Sequence, residues 1–177
     1  LRRMESDEEL MRGVARGEEA ALRLLVERHA PPLHAYLARL CGDASEAEDL
    51  LQESWMRVVR GASSFDASRR FRSWAYGIAT HVARDRYRRV RARGGAHAAL
   101  SASLAVASGE AGSLARVDLR GRLAELPERL RQTLVLRYYQ GMDEPEIAET
   151  LGIARGTVKS RLHAAVAALR HSLAGTP

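Results

Sequence analysis

A single cysteine, Cys41, leaves this 177-residue chain without an internal disulfide or a multi-cysteine metal site. The six histidines are scattered, and none stands at a spacing such as H-E-x-x-H that would hold a metal. No apolar run approaches the roughly 20 residues that cross a bilayer. The opening stretch LRRMESDEEL lacks the hydrophobic centre of a secretory signal. A reduced, cytoplasmic location without membrane insertion is therefore expected. Aromatics make up only 5% of the chain, which calls for a core of Leu, Val and Ala, as in small helical bundles. Lysine is nearly missing as well, since Lys159 is the only one among 28 basic residues. No paired carboxylates, phosphate loop or metal spacing stand out, so neither an active site nor a cofactor is expected.

The net charge is +6, which favours a polyanionic partner, nucleic acid first. Arginine richness also fits a GC-rich coding sequence, so where the arginines cluster matters more than their number. One stretch runs against the trend. DASEAEDLLQESW, residues 43–55, holds five acids (Asp43, Glu46, Glu48, Asp49 and Glu53) and no base.

Helical periodicity dominates and nothing alternates as strand. Asp7 is expected to cap a first helix carrying Leu10 and Val14. Residues 18–29 continue as helix until Pro31 and Pro32 interrupt. Leu33, Tyr36, Leu37, Leu40 and Cys41 then form a helical stripe ending at Gly42. Asp43 or Ser45 caps the next helix, which runs to about Arg60. A polar loop, GASSFDASRR (61–70), leads to a helix from about Phe71 to Val90. Residues 91–115 are small, Gly-bearing and weakly periodic, and read as a flexible linker. Helices return from Arg116, with Asp143 and Glu146 at capping-box spacing. The fold class expected is all-α: two small helical domains, 1–90 and 116–177, joined by the 91–115 linker.

In the C-terminal part, EPEIAETLGIARGTVKSRLHAAVAALR sets a short helix, a turn at Gly152 and a longer helix in series. This is the helix-turn-helix order, with the second helix suited to the major groove. At 100° per residue Val158, Leu162, Ala165, Val166 and Leu169 share one face. Thr157, Ser160, His163, Ala164 and Ala167 lie opposite, while Lys159 and Arg161 flank the buried stripe within reach of phosphates. On residues 46–60 the same projection turns Ala47, Leu51, Ser54, Trp55 and Val58 inward and Asp49, Gln52, Glu53 and Met56 outward. That acidic face with an exposed Met is complementary to a basic protein partner. From Phe71 onward, Trp74, Ile78 and Val82 face inward. Gly77, Thr80, His81, Arg84, Tyr87, Arg88 and Arg91 form a basic stripe suited to single-stranded DNA.

These motifs resemble a known family. EIAETLG followed by GTVKSRL (156–162) is similar to region 4 of bacterial sigma factors. AEDLLQESW (47–55), FRSWAYGIA (71–79) and the Arg-rich helix after it resemble region 2. The short length and missing middle domain point to the extracytoplasmic-function group of the sigma-70 family. The resemblance implies a specificity subunit of RNA polymerase that directs promoter-specific transcription initiation, in response to a stress or envelope signal. It implies docking of Asp49, Gln52, Glu53 and Met56 on the β′ clamp helices of core polymerase, with the β flap as a further contact. Ser64, Phe65, Asp66, His81, Arg84, Tyr87 and Arg88 would hold the −10 strand. Arg155, Thr157, Lys159, Ser160, Arg161 and His163 would meet the −35 duplex. An anti-sigma factor is a further implied partner.

Two departures stand out. The family commonly has Asn where this chain has His81, and many relatives carry Arg at the positions of Ala164 and Val166. A stand-alone helix-turn-helix regulator is the alternative reading. It leaves the acidic Asp49/Gln52/Glu53 face and the long linker unexplained.

Overall fold

The computed structural model describes residues 5–92 and 114–174, within which eight α-helices and no strand occur. The predicted linker lies, from 93 to 113, outside the described residues.

The first helix, α1 (Asp7–Ala15), is capped by Ser6 rather than Asp7. The Ser6 hydroxyl accepts the Glu9 N–H at 3.2 Å and the Glu9 carboxylate accepts the Ser6 N–H at 2.8 Å. Asp7 is engaged elsewhere, 2.9 Å from Arg28 and 2.6 Å from His29 Nε2 on α2 (Glu19–Cys41). A long-range pair thus displaces the local cap.

Pro31 and Pro32 do not end α2, which runs through both. Each proline withholds one intrahelical N–H, a cost that breaks many helices. Here Leu25 before them and Leu33, Tyr36 and Leu37 after them are buried in the same core. Tertiary burial on both sides outweighs the lost bonds.

Gly42 closes α2 in the left-handed region, and the Asp43 carboxylate accepts the Glu46 N–H at 3.0 Å to open α3 (Ala44–Gly61). A 3₁₀ turn (Ala62–Ser64) and a short loop lead to α4 (Phe71–Ala92), where the Phe71 N–H donates to Glu8 of α1 at 3.0 Å. The C-terminal half holds α5 (Leu114–Glu125), α6 (Glu128–Tyr138), α7 (Glu144–Leu151) and α8 (Arg155–Ala174).

The main core joins Leu10, Met11, Leu25, Leu37, Phe71 and Tyr76 from the first half to Leu136, Met142, Ile147 and Val158 from the second. A smaller cluster of Leu123, Leu126, Leu134 and Ala165 belongs to the C-terminal half alone. The halves meet closely. A Cβ on Gly77 of α4 would lie 2.9 Å from the Thr150 carbonyl oxygen of α7, so only glycine permits this approach.

Cys41 Sγ sits 3.1 Å from the Leu37 carbonyl oxygen and 3.2 Å from that of Asp43. Burial pushes the thiol pKa up to about 11. Because the thiolate is the reactive form, its reaction with a disulfide reagent at pH 8 is expected to be about 100-fold slower in the native protein than in the urea-unfolded chain. Equal rates would show that the thiol is not shielded.

Candidate functional site

The acidic helix α3 packs on both α2 and α4. Ala47, Leu50, Ser54 and Val58 are buried, whereas Leu51 and Trp55 are only half-buried. The projection turns Leu51 and Trp55 inward together with Ala47, Ser54 and Val58. Covering from two neighbours recentres the buried arc on Leu50. The predicted outward face survives this shift, with Asp49, Gln52 and Met56 exposed, Met56 by 43%. Exposed Val59 extends its apolar edge, a residue the periodicity did not single out. Glu53 is half-buried because Arg57, one turn on, donates to it at 2.9 Å. Arg57 also reaches Asp85 of α4 at 3.2 Å.

The loop before α4 presents Ser64 and Asp66 to solvent. The Ser64 hydroxyl donates to the Gly61 carbonyl at 2.9 Å. Asp66 accepts the Ser68 N–H at 2.9 Å, and this bond holds its carboxyl below the usual range. Phe65 is turned inward. Its ring centroid lies 4.9 Å from Trp74 and 6.3 Å from Phe71, so it anchors the loop instead of offering a face to a base.

On α4 the basic stripe is shorter than expected. Thr80 is buried, receiving the Tyr36 hydroxyl and donating to the Tyr76 carbonyl, both at 2.7 Å. Gly77 is covered by α7. Conversely Trp74 and Ile78, expected inward, are half-buried, while Phe71, Ala75, Tyr76 and Ala79 fill the core. Packing by α2, α3 and α7 on one helix covers an arc wider than a single stripe. What stays accessible is exposed His81 and Arg88 with half-buried Arg84 and Tyr87. The Arg91 side chain lies outside the described residues.

The helix-turn-helix follows the local signals. Asp143 and Glu146 close a capping box on α7, and Gly152 ends it at φ 63°. On α8, Val158 and Ala165 are buried and Leu162, Val166 and Leu169 half-buried, as the projection predicts. Arg155, Lys159, Ser160, His163 and Ala164 are exposed, with Thr157 and Arg161 half-buried. The Ser160 hydroxyl donates to the Thr157 carbonyl at 3.0 Å. Partial burial, then the charges of Arg129 and Arg84, lower the Arg161 pKa. Arg84, a candidate −10 residue on α4, lies 3.9 Å from Glu128 of α6 in the C-terminal half.

That juxtaposition comes from a contact between the halves that no sequence motif announced. Arg72 donates to the Gln140 carbonyl, and the Tyr76 hydroxyl donates to the Gln140 side chain at 2.6 Å. Arg69 pairs with Glu149 at 3.0 Å and Arg70 with Glu146 at 2.5 Å. The Arg39 guanidinium stacks 4.4 Å over the Tyr139 ring. Arg131 of α6 is only 4% exposed, and its Nε has no partner. Burial pulls its guanidinium pKa down.

Among the described residues no group of His, Cys, Asp and Glu could hold a metal ion, and no helix is long and apolar enough to cross a membrane.

Comparison with known proteins agrees with the motifs. The family model for sigma-70 region 2 matches residues 25–93, and that for sigma-70 region 4 matches residues 116–169. The chain is 36% identical to the ECF RNA polymerase sigma factor SigL of Mycobacterium tuberculosis, over 91% of this chain and 93% of the relative. It is 32% identical to the ECF RNA polymerase sigma factor SigW of Bacillus subtilis, over 90% and 92%. Among solved structures, CnrH in complex with the cytosolic domain of CnrY aligns with a TM-score of 0.75 at 26% identity, covering 98% of this chain and all of that one.

Proposed function

This chain belongs to the extracytoplasmic-function group of the sigma-70 family, and from that premise we propose which of its surfaces carry each part of a sigma factor's work. As a sigma factor it is a specificity subunit, not an enzyme: it binds core RNA polymerase and promoter DNA and directs transcription initiation.

In our reading, residues 1–90 act as region 2 and 116–177 as region 4, with 91–115 as the connection. Asp49, Gln52, Glu53 and Met56 dock on the β′ clamp helices, and region 4 meets the β flap. Ser64, Asp66, His81, Arg84, Tyr87 and Arg88 hold the −10 strand, with Phe65 anchoring the loop that carries the first two. Arg155, Thr157, Lys159, Ser160, Arg161 and His163 meet the −35 duplex. The protein works in the cytoplasm under a stress or envelope signal and is bound by an anti-sigma partner. The observation that carries the reading is the segregation of charge. Exposed Asp49 lies on α3, while exposed Arg88 and Lys159 lie on α4 and α8. One sign suits a basic protein surface and the other suits DNA.

Lys159 is exposed at the side of α8, where a long side chain reaches phosphate instead of base edges. Lys159→Ala is expected to weaken binding of holoenzyme to matched and mismatched −35 duplexes alike and to lower the salt slope by about one. Replacing Ser160, on the outward face, is expected to change which base is preferred. Relaxed specificity at unchanged salt dependence in Lys159→Ala would reverse these two roles.

A further inference from the structure

We infer that Arg69 and Arg70 form a phosphate site for the backbone of the single-stranded −10 DNA, and that Glu149 and Glu146 of α7 occupy it as internal stand-ins when the two domains are packed together. The inference rests on the placement of −10 binding on the loop and α4 proposed above.

Four observations support it. The two arginines end the loop that presents Ser64 and Asp66, and the Arg69 N–H donates to the Asp66 carbonyl at 3.0 Å, which fixes Arg69 one turn from the loop tip. Their partners come from the other domain, 80 and 76 residues along the chain. A carboxylate and a phosphate present the same kind of anionic oxygen to a guanidinium, so one replaces the other without rearranging the arginine. Finally, the arginines stay open, with side chains 44% and 68% exposed, against 31% and 15% for Glu149 and Glu146. A strand can therefore approach them from solvent.

The packed arrangement is not the one that reads a promoter. Elements named −10 and −35 lie about 25 base pairs apart, roughly 85 Å along B-form DNA. Here Arg84 of α4, proposed for the −10 element, lies 3.9 Å from Glu128 of α6, and Gly77 of α4 lies against Thr150 of α7, so the two halves are held side by side. The domains must part before both elements are read. The contact joins an apolar part, with Leu136, Met142, Ile147 and Val158 in the shared core, to a polar rim formed by the Arg69, Arg70 and Arg72 contacts, and it is at this rim that an anion competes. Exposed ion pairs shift an equilibrium by no more than about fivefold each and weaken with salt, so a polyanion competes with them effectively.

The test uses the full chain and a fluorescein-labelled oligo-dT strand, which offers backbone phosphate without promoter sequence. Binding is followed by anisotropy over a salt series, and domain separation by small-angle scattering. Glu146→Gln with Glu149→Gln should raise the radius of gyration and tighten binding about fivefold or more. Glutamine retains the capping-box acceptor of Glu146, so α7 keeps its start. Arg69→Ala with Arg70→Ala should open the protein equally but bind more weakly, with a salt slope about 1.4 below that of the Glu double variant, near 0.7 per single-strand phosphate. Glu19→Gln with Glu27→Gln, at exposed sites on α2, controls for the loss of two negative charges. The inference is overturned if the Glu146/Glu149 variant behaves like this control, or if the arginine variant keeps the slope of the Glu146/Glu149 variant. Arg88→Ala separates the two levels of argument. If it weakens binding while the masking variants fail, the α4 reading stands without the mask. If it too has no effect, the −10 assignment falls and this inference with it.

Discussion

Asp49→Arg combined with Glu53→Arg is expected to abolish co-elution with core RNA polymerase while leaving the helical content of the protein unchanged. Both positions lie off the buried arc of Ala47, Leu50, Ser54 and Val58, so no core contact is lost. The internal cost is the i,i+4 pair from Glu53 to Arg57, about 0.3–0.5 kcal/mol, plus a similar repulsion between the new arginine and Arg57. Arg57 keeps its second partner, Asp85. Against a basic partner helix, two like charges placed face to face cost several kcal/mol, and this term decides the outcome. Direct attraction to DNA stays level or rises, because the reversal adds positive charge. A stand-alone regulator would keep its DNA binding and its activity after the change, and a merely solvated face would show no effect. Co-elution measured beside circular dichroism separates the cases. Normal co-elution of the folded double variant would remove α3 from the polymerase contact.

The second large effect is on stability. Phe71→Ala is expected to cost about 3–5 kcal/mol in urea unfolding, the range for deleting a buried aromatic ring. Phe71 is 0% exposed at the head of α4, with its ring centroid 5.0 Å from His29 and 6.2 Å from Trp74. Removing it opens a cavity that α1, α2 and the loop all border. Phe65 loses one of its two ring neighbours, so the loop bearing Ser64 and Asp66 loosens and retention of the −10 strand falls with stability. Phe71→Leu keeps most of the volume and should cost less than about 1.5 kcal/mol. Phe65→Ala, at a half-buried site, should cost less than Phe71→Ala while still freeing the loop. A loss below about 1.5 kcal/mol for Phe71→Ala would mean that the cluster does not hold this end of the domain.

Much of this was legible in the residues. Apolar spacing located the helices, and the chemistry of Gly42, of Asp143 with Glu146 and of Gly152 marked ends and starts where the structure has them. Two motifs in order identified the family, and the charge pattern separated the acidic face from the basic ones. These are local properties, carried by residues within one or two turns of each other.

What the tertiary structure alone decided has a common cause. A projection sets the direction of a buried stripe but not its width, which depends on how many helices cover it. That is why Leu50 is buried ahead of Leu51, and why Gly77 and Thr80 left the open face of α4. Capping at α1 went to Ser6 because Asp7 met Arg28 and His29, more than 20 residues away. Pro31 and Pro32 stayed inside α2 because the core holds both flanks. The pairing of Arg69 and Arg70 with Glu149 and Glu146 joins segments with no local relation. A charge on a helix surface shows in the sequence, but its partner is set by the packing of domains, where small differences between hydration and contact decide which surface is covered.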